Sequence, residues 1–113
     1  MGRFQFTWPF KGIYFPQTQA LGGGIIPMAA YLISYDLRKL GFDYKPLYLA
    51  LYAIEAKHIQ DSVWGVNTRS SAKVVFDYLW RHMHNGKDRL FVVPFDTAKA
   101  DEAKNSITAL KDI

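Results

Sequence analysis

The chain of 113 residues contains no cysteine. That excludes disulfides, thiolate nucleophiles and zinc–thiolate centres. It also fits a reducing, cytoplasmic setting. No apolar run approaches the roughly 18 residues that mark a membrane-spanning helix, so no membrane partner is expected. Nor does a continuous apolar stretch of about 7–15 residues follow Arg3, as a secretory signal would require. An excess of one charge is small: 14 basic residues against 10 acidic ones give a net +4. Such a balance permits a polyanionic partner without demanding one. Arg3 and Lys11 supply two of those four excess charges, in a segment with no acid.

Half of the residues are apolar and 16% are aromatic. That is enough for one core. A domain this small still leaves much of its surface in water and is marginal alone, which favours a homodimer. The first 27 residues stand apart, holding five of the eight glycines and three of the five prolines. Phe4, Phe6, Trp8 and Phe10 alternate like a strand, but Pro9 interrupts them. Residues 1–27 are therefore read as an extension or an upstream start, and residues 28–113 as the domain. Gly22-Gly23-Gly24 lacks the Lys-Ser/Thr and the preceding strand of a phosphate loop, so it reads as a linker.

From Met28 onward the punctuation is regular. Ala30–Leu37 is a buried strand, with Tyr31, Ile33 and Tyr35 on one face and Leu32, Ser34 and Asp36 on the other. Asp43 is a plausible N-cap for a helix near 44–56, with Pro46 in its tolerant first turn and a stripe of Leu47, Leu51 and Ile54. Residues 58–63 and 64–68 read as two short strands, Gly65 marking a bulge or a close approach. Ser70 or Ser71 caps a second helix with the stripe Ala72, Val75, Leu79 and Met83, closed by Asn85-Gly86. Residues 90–95 form the last strand, which Pro94 ends or sends to an edge. A weaker helix is expected over 97–111. The order strand, helix, strand, strand, helix, strand gives an α+β, ferredoxin-like sandwich, a four-stranded antiparallel sheet with helices on one face. Its other face must meet solvent, a partner or a second copy.

Asp36 is the leading candidate residue. A carboxylate ending a mostly apolar strand needs a partner, a hydrogen bond or a cation. The plainer account is that it accepts from the amides of Arg38 or Lys39. Arg38, Lys39 and Lys45 are either a phosphate-binding cluster or a solvated loop. Ser62 is a phosphate or metal-water ligand, or a filler of the ladder. Trp64 is a base-stacking platform, or a core or dimer contact. His82 and His84 do not share a helix face and make a poor zinc pair, and His58 receives no role.

The segments Tyr31-Leu32-Ile33-Ser34-Tyr35-Asp36-Leu37, Ile59-Gln60-Asp61-Ser62-Val63-Trp64 and Asp88-Arg89-Leu90-Phe91-Val92-Val93 carry a resemblance. Together they resemble the CRISPR-associated endoribonuclease family, the small ferredoxin-like partner of the integrase in spacer acquisition. The likeness is closer still to its stand-alone SinR-like relatives, and virulence-associated protein D is a further relative. The resemblance implies a homodimer with nucleic acid, RNA or DNA, as ligand. It further implies Asp36 paired across the two-fold axis around a divalent cation, with metal-dependent ribonuclease activity. Hard carboxylate oxygens suit Mg2+ or Mn2+. The chain departs from the family pattern at Leu37-Arg38-Lys39-Leu40-Gly41, where further acidic and basic residues are usual, and at Gly65, where the family often has Glu. The alternatives are a non-catalytic dimeric scaffold of the same fold and a toxin–antitoxin component.

Overall fold

The computed structural model describes residues 20–21, 24–25, 27–99 and 105–113. Its elements are β1 (Ala29–Asp36), α1 (Lys45–Ala53), β2 (Lys57–Gln60), β3 (Val63–Thr68), α2 (Ala72–Trp80) and β4 (Arg89–Phe95). The four strands form one antiparallel sheet in the order β2-β3-β1-β4. This is the ferredoxin-like α+β sandwich. A short separate ladder pairs Ala20 with Ile25 and Leu21 with Gly24. Gly24 is thus a paired strand residue and not linker. The alternating aromatics Phe4, Phe6, Trp8 and Phe10 lie outside the described residues.

Alternation along β1 decides the two faces. Tyr31, Ile33 and Tyr35 are buried, and register sets Val66 and Trp64 of β3 beside the first two. Onto this face pack Leu47, Ala50 and Leu51 from α1 and Ile54 at its C-cap, with Val75, Tyr78, Leu79 and Met83 from α2 and the turn after it. The opposite face holds Leu32, Ser34 and Asp36. Val93, Phe91 and Arg89 of β4 are their respective cross-strand neighbours. Phe91 and Val93 are exposed there. Pro94 sits in β4, an edge strand, where a missing N–H does no harm.

Local chemistry explains where the elements start and stop. Ser71 caps α2, its hydroxyl accepting from Val74 N–H at 3.2 Å. The N-cap of α1 is Tyr44; Asp43 lies one residue earlier and accepts from Lys45 N–H at 3.0 Å. Helix α2 ends at Trp80, ahead of Asn85-Gly86, and neither of those two residues is left-handed. Instead the chain tightens through His82 N–H to Leu79 O and Met83 N–H to Trp80 O. Asp88 then captures His84 N–H at 2.7 Å.

The helix expected over 97–111 does not form within the described residues. Thr97–Lys99 and Leu110–Asp112 are single 3-10 turns, and Asn105 has φ +59°. Ile107 and Leu110 make too thin a stripe to hold a helix. Ile107 N–H donates to Ile59 O at 2.8 Å on β2, and Lys57 Nζ donates to Asp112 O at 3.0 Å. At Gly65 the expected close approach is made by this segment. A Cβ there would lie 2.8 Å from Ile113 Cδ1. Residues 105–113 therefore run beside β2 and reach over Gly65 on the face without helices.

Candidate functional site

Asp36 ends β1, and the antiparallel register places Arg89, the first residue of β4, directly opposite it. Arg89 Nη1 lies 3.5 Å from Asp36 Oδ2, with the side chains 68% and 57% exposed. An ion pair this open to solvent contributes ~0.2–1 kcal/mol at most. Ser34, Tyr35, Asp36, Ser62, Arg89, Leu90 and Phe91 line one open concavity of about 230 Å³. Asp36 and Ser62, singled out separately in the sequence, thus meet at one place. The turn bearing Ser62 is fixed to β1 by Tyr35 N–H donating to Ser62 O at 3.1 Å.

Trp64 is not part of this surface. It is 2% exposed, and its Nε1–H donates to the Tyr35 hydroxyl at 3.0 Å. His58 stacks on it with ring centroids 4.4 Å apart, and Tyr52 meets it edge-on at 5.4 Å. The ring is a core element, so no base can stack on it in this fold. Burial pushes the Tyr35 hydroxyl up to about 12, so it stays neutral across the physiological range.

Arg38, Lys39 and Lys45 are exposed on and just after the loop that leaves Asp36, and none of them lines the concavity. Their backbone amides are engaged locally. Arg38 N–H donates to Asp88 Oδ1 at 2.7 Å, and Lys39 N–H to the Tyr44 hydroxyl at 3.2 Å. The proposed capping of these amides by Asp36 is accordingly done at Arg38 by Asp88.

Asp88 and Arg89, to which the sequence assigns no role of their own, stand at this end of the sheet. Asp88 is 7% exposed and accepts from Arg38 N–H, the Tyr44 hydroxyl at 2.6 Å and His84 N–H. Burial alone would raise its pKa; the three hydrogen bonds outweigh this and hold the carboxyl below its ordinary value. It ties the loop after β1 to the loop before β4, which are the two chains that carry Asp36 and Arg89. The available signal was the dipeptide Asp88-Arg89 at the start of a strand expected to run antiparallel to β1.

The donors around Asp36 are hard oxygens, a carboxylate beside the two serine residues, and suit Mg2+ or Mn2+ in kind. In number they fall short, for no group of three His, Asp or Glu side chains converges among the described residues. Mg2+ is commonly held by one or two carboxylates, with water and phosphate oxygens completing its shell. Among the described residues that line this concavity, Asp36 is the one carboxylate. A larger concavity of about 590 Å³, at the opposite end of the strands, has Asp96 as its one charged residue among those described. Its lining offers no convergent chemistry. No helix among the described residues is long and apolar enough to cross a membrane. No protein-family model, curated protein or solved structure matches the chain.

Proposed function

We propose that the protein is a cytoplasmic homodimer that acts on nucleic acid, related to the CRISPR-associated endoribonucleases and their stand-alone relatives. In this reading two copies meet through the sheet faces that carry no helices, bringing the two Asp36 carboxylates together. Asp36 would hold Mg2+ or Mn2+, and the bound ion would polarise a phosphodiester and activate water. The chain's own part is to aim the carboxylate, to supply hydroxyls at Ser34 and Ser62, and to meet phosphate charge with Arg89. The carrying observation is that Asp36, Ser62 and Arg89 share one open concavity at the rim of the face without helices. The exposed Phe91 and Val93 on that face favour self-association. Cleavage of RNA and DNA with and without Mg2+ or Mn2+ tests the reading, with Asp36→Asn as control. Metal-dependent cleavage that vanishes in the variant is expected; full activity in Asp36→Asn would put the chemistry elsewhere.

A non-catalytic scaffold of the same fold is the second reading. The Asp36–Arg89 ion pair favours it, because a carboxylate with an internal counterion has less need of a metal. Absence of cleavage by clean wild-type protein, with retained nucleic-acid binding, would select it. A toxin–antitoxin role akin to virulence-associated protein D would instead show as ribonuclease activity silenced by a partner protein.

A further inference from the structure

We infer that residues 105–113 form an autoinhibitory strap, competing for the sheet face without helices with the second copy of the homodimer reading above, on which this rests. One cross-strand row spans that face: Lys57 on β2, Gly65 on β3, Leu32 on β1 and Val93 on β4. The segment takes the first two places. Lys57 Nζ donates to Asp112 O at 3.0 Å. Ile113 lies over Gly65 so closely that a Cβ there would stand 2.8 Å from Cδ1 and 2.9 Å from Cγ1. Ile107 N–H ties the start of the segment to Ile59 O at 2.8 Å. The other two places are apolar and stay accessible, Leu32 partly and Val93 at 40%, with Phe91 two residues along β4 at 53%. Sheets packed face to face stand about 10 Å apart, a gap that their inner side chains fill. A run of backbone laid on one sheet leaves no room for that spacing over β2 and β3. A second copy is therefore held to the β1–β4 half while the strap is seated. The seat is a light one. No residue of 105–113 is buried, and its described hydrogen bonds to the sheet are the two just given. A strap that must leave before full docking lowers the apparent dimer affinity by the fraction of molecules in which it is open. Two ordinary hydrogen bonds set that factor on the order of tenfold.

Sedimentation of the full chain tests it, with Gly65→Ser and Ile113→Ala as the two variants. The serine fills the notch from the sheet side, and the alanine removes the side chain seated in it, so one variant serves if the other fails to fold. Exchange of the Ile107 amide, followed by NMR, reports whether the strap has left. Lys111→Ala, exposed in the same segment, is the control. Expected are faster exchange at Ile107 and a dimer about tenfold tighter in both variants, with the control like wild type. Faster exchange with an unchanged or weaker dimer overturns the strap and leaves the homodimer standing. Unchanged exchange in both variants overturns it too, since Ile113 on Gly65 would not then be the seat. An equal gain in Lys111→Ala also overturns it. Species larger than a dimer would place the effect at the β2 edge and likewise overturn it. A monomer throughout, even with the strap released, overturns the homodimer reading and the strap together.

Discussion

The Tyr44 hydroxyl donates to Asp88 Oδ1 at 2.6 Å, joining the start of α1 to the residue before β4 across 44 positions of sequence. The same carboxylate takes Arg38 N–H and His84 N–H, so one side chain replaces backbone partners for two loops. Asp88→Ala should lower the unfolding free energy by about 1–3 kcal/mol, since buried donors are left unmet. Urea denaturation measures this.

The same residue makes stability depend on acid. Its folded pKa lies below the ordinary value, so the unfolded chain takes up the proton first. The stabilisation is complete above the unfolded pKa near ~3.9 and is lost as pH falls through the folded value. Melting temperature should therefore fall below about pH 4 in wild type, and the fall should be shallower in Asp88→Asn. The variant should start from a lower plateau at neutral pH.

His82 titrates in a different window. Burial, with the Arg81 charge beside it, pushes its pKa below the ordinary 6.5. The unfolded state again binds the proton first, so stability should decline as pH drops from about 6.5 towards the folded value. His82→Gln should flatten that limb. Titration of the imidazole signals by NMR reports the folded value directly, and a midpoint above 6.5 would contradict the assignment.

Trp64→Phe removes the donor to Tyr35 and shrinks a filled site, and should destabilise by about 1–3 kcal/mol. Nucleic-acid affinity of the folded variant should not change, because the ring is buried. A tenfold loss of affinity with an intact fold would return Trp64 to the binding surface.

Phe91→Glu sets a charge on the face without helices, on the edge strand β4. The folded chain should keep its melting temperature and lose the dimer, read by sedimentation at micromolar concentration. An unchanged dimer would move the interface to another surface.

The fold was legible because its signals were redundant. Tyr31, Ile33 and Tyr35 alternated where Leu47, Leu51 and Ile54 recurred at helical spacing, and both sets are buried in one core. Ser71 and Gly65 acted for the reasons their chemistry suggested, as a cap and as a point of close approach. In the described part of 97–111 no α-helix forms, because two apolar residues cannot outweigh a sheet edge that offers a carbonyl at Ile59. At the site, Asp36 and Ser62 were visible as polar residues at strand ends. Trp64 misled because an indole in a strand looks alike whether it faces water or core. Arg89 and Asp88 were hidden because their roles come from pairing with residues some fifty positions away, Arg89 with Asp36 and Asp88 with Arg38 and Tyr44.

The two edges of the sheet are closed by different means. On β4, Pro94 contributes no N–H to an incoming strand, while on β2 the Ile59 carbonyl is already taken by Ile107. An unprotected edge is a template on which further chains add by backbone pairing and grow into fibres. Here neither rim is a clean template, so lengthening the sheet from chain to chain is discouraged. Loss of residues 105–113 would uncover β2 and turn a protein with one sociable face into one with a growing end.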